Sequence, residues 1–388
     1  MPLAPVLNGK QQKLKSEVSG VEQLIRSLMK KHRTPFMIIR KAVLKKQYER
    51  FRKCLPEVTP YFAVKCNANP KIIKTFVRLG ASFDVASGWE MKEVLRLGAS
   101  PGKIIFANTV KSVEDIILAR RRRVRLMTFD NEPELYKIAE NYPRAHVILR
   151  IKVENQGSMV ELSLKFGADP ESAVPLLKKA RSLGVIPMGI SFHVGSQCKN
   201  TENYLQALEI TSRIFDQAKE EGIQLRILDI GGGFPIQHFD SEIGVNFERM
   251  AAEIRKQIKE LFSRKVHVIA EPGRFLVGPA GILVTQVIGR AFRNNKNYYY
   301  INDGIYQDFS GMVFDHCKYE FKTLRRGHKF LSALAGPTCD SFDTLSMNME
   351  IPEMYLNDVV YVKNIGAYSS ASAVSNFNGF PPAKIIAV

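Results

Sequence analysis

Two patterns of apolar and polar residues alternate along most of the chain. Eight short runs rich in β-branched and aromatic residues are separated by amphipathic stretches of about a dozen residues, as strands alternating with helices require. The predicted strands are 59–66, 81–87, 103–108, 125–130, 146–153, 187–195, 225–233 and 267–274. Several helical stretches begin at Asn, Ser or Pro-flanked positions and end at Gly, as helix caps do. The pattern predicts an α/β fold, a (β/α)8 TIM barrel over residues 36–276.

The pattern changes after residue 275. Runs such as GILVTQVIGRAF, KNYYYINDGIY and DVVYVKNIGAY are β-branched or aromatic, are divided by Gly and Pro, and have no long helix between them. Residues 277–388 are therefore predicted to form an antiparallel β-sandwich or β-barrel domain. Residues 1–35 are polar apart from one amphipathic piece, VEQLIRSLMKKH, which we expect to pack with this β domain.

Length and charge narrow the class of protein. A chain of 388 residues is too long for one ordinary hydrophobic core. Its 56 Lys and Arg residues outnumber its 38 Asp and Glu residues, which gives a net charge of +18. The densest basic run, Arg120 to Arg123, ends a predicted helix and has no interleaved aromatics, so we expect no nucleic-acid partner. The chain has no membrane-length apolar run and no apolar signal-peptide core, which predicts a cytoplasmic protein. Five scattered cysteines without a CxxC pair argue against zinc or a disulfide framework.

Polar residues gather where the predicted strands end, the face on which such barrels build active sites. They are Lys65, Asp84, Asn108, Asp130, Arg150, His193, Gly231, Gly232, Gly233 and Glu271. Lys65 is the most unusual, because it follows the apolar run YFAV and a buried ammonium is costly unless it is paired. Asn108 and Asp130 could equally be helix caps or turn residues. A lysine at the end of a buried strand, such as Lys65, is typical of a site that uses an amine.

Two glycine-containing motifs predict a phosphate site. IGGGFP at 230–235 and EPGR at 271–274 follow the last two barrel strands, where phosphates commonly bind in this fold. The spacing fits neither a Rossmann nor a P-loop sequence, and a purely structural turn is the alternative. A phosphate beside a strand-end lysine favours pyridoxal 5'-phosphate (PLP), with Lys65 as its covalent anchor. Glu271 would face the pyridine nitrogen, and His193 would cover the ring.

Further motifs carry a resemblance to a known family. AVKCN, FDVAS, SFHVGSQC, LDIGGGFP, EPGR, FDH, GPTCDSFD, NIGAY and FNGF occur in consistent order between about residues 35 and 380. They resemble the eukaryotic-type ornithine decarboxylases, which are fold-type III, alanine-racemase-like PLP enzymes. The resemblance implies the same barrel, a C-terminal β domain and a PLP-dependent decarboxylase, with no metal.

The resemblance also implies roles for individual residues. Lys65 matches the covalent anchor, Glu271 the carboxylate on the ring nitrogen and His193 the residue stacked on the ring. The remaining matches are Ser196, Gly233, Gly273, Arg274 and Tyr368 around the phosphate, and Asp84 and Arg150 beneath the cofactor. The family forms homodimers with shared active sites, so Cys339 would protonate the α-carbon in the partner's site. Asp315 and Asp340 would receive the distal ammonium of the substrate, and Lys165 and Asp343 would form an ion pair between subunits.

The substrate stays open among basic amino acids. Ornithine, giving putrescine for polyamine biosynthesis, is the main expectation, and lysine or dual lysine and ornithine decarboxylation giving cadaverine is the alternative. One methylene group separates the two substrates, and near the distal end Phe314 precedes Asp315 at a position that could hold a tyrosine. Arginine is a weaker alternative, because its guanidinium needs a roomier carboxylate site. A non-catalytic homologue that acts as a regulatory binding protein is the alternative from a different class.

Overall fold

A computed structural model describes residues 20–154, 156–158, 165–239, 246–374 and 376–388. The first nineteen residues of the predicted N-terminal segment lie outside these ranges. Within the ranges, no helix combines the length and apolar character needed to cross a lipid bilayer. None of the cysteines Cys54, Cys66, Cys198, Cys317 and Cys339 forms a disulfide bond.

Eight parallel strands close into a barrel, as predicted. They are β2 (Val58–Ala63), β3 (Ser82–Val85), β4 (Ile104–Phe106), β5 (Leu126–Phe129), β6 (His146–Arg150), β7 (Ile186–Ser191), β8 (Ile227–Asp229) and β9 (His267–Ala270). Neighbours in sequence are neighbours in the barrel, and β9 closes it by pairing with β2. The barrel interior holds a small apolar cluster with Ile105, Ile148 and Ile269. This cluster fills the barrel centre, so the open space lies at its end.

Helices lie on the outside of the barrel, and most of them follow a barrel strand. They are α2 (Lys41–Cys54), which precedes β2, and then α3 (Pro70–Arg78), α4 (Gly88–Arg96), α5 (Val113–Arg122), α6 (Glu132–Asn141), α7 (Ala173–Ser182), α8 (Thr201–Glu220), α9 (Phe247–Leu261) and the short α10 (Arg274–Val277) after β9. Two helices belong to the second domain instead: α1, formed by residues 20–29, and α11 (Gly311–Phe314). Helix α4 shows why the barrel helices begin where they do. The N-cap Ser87 hydroxyl accepts the Glu90 N–H, and the Glu90 carboxylate accepts the N–H of Ala86, the residue before the cap, which is a variant of the capping box.

The second domain is a mostly antiparallel sheet, also as predicted. Its strands are β10 (Gly281–Arg293), β11 (Lys296–Ile301), β12 (Phe321–Thr323), β13 (Lys329–Ala335), β14 (Thr344–Pro352), β15 (Val359–Lys363) and β16 (Lys384–Ala387), joined by β1 (Phe36–Ile39). β11 and β13 pair in parallel. The chain between them runs through α11 and β12, which gives the long connection that parallel pairing needs.

β1 lies in this second sheet, although the sequence boundary at residue 36 assigned it to the barrel. It pairs antiparallel with β10 and parallel with β16. Helix α1 packs on the same sheet, where Val21 and Ile25 join a cluster with Phe36, Ile38 and Ile282. The chain thus forms part of the β-domain sheet before it enters the barrel.

Candidate active site

A cavity of about 350 Å³ opens at the C-terminal end of the barrel strands. Its lining comes from both domains and consists of Lys65, Ala86, Ala107, Asn108, Arg150, Phe166, His193, Ser196, Gln197, Gly233, Phe234, Glu271, Gly273, Arg274, Asp315 and Tyr368. Among the described residues, no group of three or more His, Cys, Asp or Glu side chains is arranged to hold a metal ion. The lining combines cations and carboxyl groups with a few apolar side chains, so it is more polar than most small-molecule pockets and suits a charged ligand.

Lys65 lies in the short turn that follows β2. Val64 and Cys66 on either side of it are buried, whereas 41% of the Lys65 side chain is accessible because it faces the cavity. Its Nζ forms an ion pair with Oδ2 of Asp84, which is almost completely buried. Burial lowers the pKa of Lys65, but the negative charges of Asp84 and Glu271 raise it by more, so the pKa lies above its ordinary value. The turn therefore presents a charged amine to the cavity while buried neighbours fix its backbone.

Glu271 follows β9 and faces the cavity near Asp229. Burial, followed by the charges of Asp229 and Asp84, raises the pKa of Glu271 well above its ordinary value. Burial also raises the pKa of Asp229 to about 7, although this carboxylate accepts the Gly231 N–H at 2.9 Å. Two neighbouring buried carboxyl groups cannot both ionise cheaply. A cationic ligand nitrogen beside Glu271 would remove that cost, which is what a protonated pyridine ring supplies.

The glycine motif approaches neighbouring backbone too closely for any side chain. Gly233 has a φ of +92°, and a Cβ there would lie 2.2 Å from the Gly195 carbonyl oxygen. Gly231 has a φ of +64°, and its Cβ would lie 2.2 Å from the Phe192 carbonyl oxygen. Gly231 and Gly232 support the turn without lining the cavity, whereas Gly233 lines it.

Arg274 makes the region beside Gly233 attractive to an anion. Its guanidinium lies 4.8 Å from the centre of the Tyr368 ring and donates to the Ser196 hydroxyl at 3.2 Å. It also forms an ion pair with Oδ2 of Asp315. Gly273 lines the same part of the cavity. The structure thus brings together the residues that the sequence predicted for phosphate binding. Their guanidinium, hydroxyl and backbone N–H groups are donors that a phosphate can accept from.

His193 and Arg150 occupy other parts of the cavity wall. Burial, then the charges of Arg150 and Lys65, lowers the pKa of His193 well below its ordinary value, so the ring is neutral. Its Nδ1 accepts the Gly195 N–H at 3.0 Å, which fixes the orientation of the ring. Arg150 is half-buried, and its guanidinium lies 5.4 Å from the centre of the Phe166 ring. A neutral, oriented imidazole suits stacking on a flat cofactor.

Asp315 belongs to a polar cluster that sequence reasoning missed. Cys317 donates to Oδ2 of Asp315 at 3.3 Å and accepts from Arg274 at 3.4 Å. Behind it, Nε2 of His238 lies 3.9 Å from Sγ of Cys317, and Gln197 lies 3.4 Å from Nδ1 of His238. Gln197 was missed as a lining residue as well. The only sequence signals were that Cys317 directly follows the FDH motif and that Gln197 lies within SFHVGSQC. The contacts themselves join residues that are far apart in the chain.

Cys339 and Asp340 lie outside the cavity of their own chain. Cys339 is exposed, and its N–H donates to the Asn378 side chain at 3.1 Å. Oδ2 of Asp340 accepts a hydrogen bond from the Tyr306 hydroxyl. Neither residue lines the pocket that Lys65 faces. Their predicted roles therefore require a second copy of the chain.

The residues of the predicted intersubunit ion pair are not bonded to each other in the single chain. Lys165 is exposed, and its ammonium lies 5.0 Å from the centre of the Phe166 ring. Asp343 is buried and accepts from the Ile305 N–H at 2.8 Å and from the Thr338 hydroxyl at 2.8 Å. Asp343 thus has a structural role within its own subunit, and the ion pair between subunits stays a prediction.

These features define a class of enzyme. PLP needs an amine for its aldehyde, an acid for its ring nitrogen and hydrogen-bond donors for its phosphate. Lys65, Glu271 and Arg274 supply these three groups around one cavity at the mouth of a (β/α)8 barrel. The residues present fit PLP, and the fold and site are those of a PLP-dependent barrel enzyme.

Comparison with known proteins narrows this class to a family. Residues 41–278 match the model of the pyridoxal-dependent decarboxylases, pyridoxal binding domain. The chain belongs to this family, whose members are PLP-dependent carboxy-lyases.

Relatives and solved structures are similar over nearly the whole chain. A lysine/ornithine decarboxylase of Selenomonas ruminantium is 40% identical over 92% of this chain and 91% of its own length. Antizyme inhibitor 2 of Xenopus laevis is 38% identical over 88% of this chain and 78% of its own length. The crystal structure of SrLDC in complex with PLP and cadaverine superposes with a TM-score of 0.89 at 39% identity, covering 94% of this chain and 93% of that one.

Proposed function

We propose that this protein decarboxylates a basic L-amino acid with PLP, with ornithine as the main substrate and lysine as the alternative. The observation that carries the proposal is that the Lys65 amine and the Asp315 carboxylate line the same cavity. An amine there suits the cofactor, and a carboxylate there suits the distal ammonium of a diamino acid. Relatives named as lysine/ornithine decarboxylases support both substrates.

The chain's own residues hold the cofactor and orient it. Lys65 would be the covalent anchor, Glu271 would pair with the ring nitrogen, and Arg274 and Ser196 would bind the phosphate beside Gly233. His193 would stack on the ring, and Asp84 and Arg150 would balance the charges near it. When bound, PLP supplies an electron sink for the electron pair that the departing carboxylate leaves behind. The buried walls exclude water and strengthen each of these electrostatic contacts.

A homodimer completes the site in this proposal. Cys339 of one subunit enters the cavity of its partner and delivers a proton to the α-carbon, and Asp340 joins Asp315 at the distal ammonium. The apolar side chains near these motifs support a subunit interface, because 56% of Phe342 and 60% of Phe314 is exposed in the single chain. Exposed aromatics of this size are typical of interfaces.

Ornithine and lysine differ by one methylene group, which is worth only about 1–3 kcal/mol of discrimination. The test is a product assay with ornithine, lysine and arginine in parallel, reporting kcat/KM for each. We expect putrescine or cadaverine at rates far above those for agmatine. Agmatine as the main product would refute the substrate assignment. No turnover of any basic amino acid by PLP-loaded protein would favour the non-catalytic regulatory alternative.

A further inference from the structure

A chain of hydrogen bonds leads from the interior to the carboxylate of Asp315. It runs through Gln197, His238 and Cys317, which are each at most 4% exposed. Gln197 and His238 belong to loops of the barrel, whereas Cys317 belongs to the β domain and follows α11. The chain therefore joins the two domains at the end of the cavity that Asp315 lines.

The donors can be assigned from the acceptors. Gln197 donates from Nε2 to the Ile236 carbonyl at 2.9 Å, and the same amide nitrogen lies 3.4 Å from Nδ1 of His238. Since an amide nitrogen can only donate, Nδ1 of His238 accepts and Nε2 carries the ring proton. Nε2 then donates to Sγ of Cys317 at 3.9 Å, and the thiol donates to Oδ2 of Asp315 at 3.3 Å. Each donor in the chain points toward the carboxylate.

This arrangement leaves the second oxygen of Asp315 for a ligand. Arg274 and Cys317 both donate to Oδ2, whereas no residue in the described part of the chain donates to Oδ1. A carboxylate held by one oxygen keeps the other aimed in a fixed direction. Arg274 also serves the proposed phosphate site, so the thiol is an anchor that holds Asp315 without competing for an anion.

We propose that His238 and Cys317 are positioning residues that orient Asp315 toward the distal ammonium of the substrate. This inference rests on the proposed function and adds residues that do not touch the substrate themselves. Losing the thiol donor removes one hydrogen bond to a charged acceptor and frees Asp315 to rotate. For a weak donor such as a thiol, we expect the affinity for a distal ammonium to fall about fivefold.

The test compares a diamine with a monoamine as inhibitors of the PLP-loaded enzyme. Putrescine carries the distal ammonium, and n-butylamine has the same chain length without it. We expect Cys317→Ala to raise the inhibition constant of putrescine about fivefold and to leave that of n-butylamine unchanged. KM for the diamino acid should rise by a similar factor at nearly constant kcat.

Three further variants make the test specific. Cys317→Ser keeps a donor of similar size and should restore putrescine binding. His238→Phe keeps a ring against Tyr319, which it contacts edge-on at 6.4 Å, but removes the donor to Cys317. His238→Phe should therefore also raise the inhibition constant of putrescine. Cys54→Ala is the control, because this partly buried thiol lies on α2. It should leave the inhibition constants of both putrescine and n-butylamine unchanged.

The outcomes separate this inference from the proposed function. If Cys317→Ala raised the inhibition constants of putrescine and n-butylamine equally, the cavity would have changed in general, and the inference would be overturned. A matching loss of PLP affinity, measured by absorbance titration, would also overturn it, since the thiol would then act through Arg274. Wild-type protein that neither turns over a basic amino acid nor binds putrescine would overturn the proposed function itself.

Discussion

Replacing Gly233 by alanine tests whether the glycine turn forms the phosphate site. Its φ of +92° is a conformation that costs an L-residue about 1–2 kcal/mol. The added Cβ would also lie 2.2 Å from the Gly195 carbonyl oxygen, so one of the two backbone segments has to move by about 1 Å. Gly195 donates its N–H to His193 at 3.0 Å, and the movement therefore reaches the ring that is proposed to cover PLP.

Gly184→Ala provides the matched control. Gly184 has a φ of +78°, but a Cβ there would have no atom within 4 Å. Both variants should lose about 1–2 kcal/mol of unfolding free energy from backbone strain, and only Gly233→Ala should lose more through the clash. Denaturant unfolding measures this difference in the two proteins.

Cofactor affinity distinguishes the two positions more sharply. We expect Gly233→Ala to weaken PLP binding at least tenfold in an absorbance titration, because it would displace the carbonyl and amide groups around the proposed phosphate position. Gly184→Ala should bind PLP as the wild type does. Equal PLP affinity in the two folded variants would refute the assignment of Gly233 to the phosphate site.

Three other predictions address charge, substrate and assembly. Burial raises the pKa of Glu90 to about 7, so its contribution to stability is present below pH 4.5 and is lost as the pH rises through 7. Glu90→Gln should therefore raise Tm relative to wild type more at pH 8 than at pH 5; an equal change at both pH values would contradict this. Asp315→Asn should raise KM for ornithine or lysine about 10- to 100-fold, since a charge-assisted hydrogen bond is lost; unchanged kinetics would refute the substrate site. Mixing inactive Lys65→Ala and Cys339→Ala proteins should restore up to about a quarter of the wild-type activity if subunits share sites, and no recovery after subunit exchange would argue against sharing.

The barrel was readable from the sequence because its signals are local. Each strand is a short apolar run, and the polar residues that end the strands lie on one face by the geometry of parallel strands. Lys65, Glu271 and Arg274 were found in this way, and all three line the cavity.

Other features depend on residues distant in the chain and could not be found by pattern. The run FMII at 36–39 fits any buried strand, and its place in the second sheet is set by partners at 281–284 and 384–387. The contact of His238 with Cys317 joins loops 79 residues apart, each of which reads as an ordinary turn. Cys339 was singled out by resemblance alone, and its role depends on a second copy of the chain.

Covalent mapping of the cofactor tests the central claim most directly. The purified protein with PLP is reduced with borohydride, digested and analysed by mass spectrometry. We expect loss of the visible absorbance and one modified peptide, with the cofactor mass on Lys65. A decarboxylase that carries the label on another lysine, or remains active with Lys65 replaced by alanine, would contradict the account.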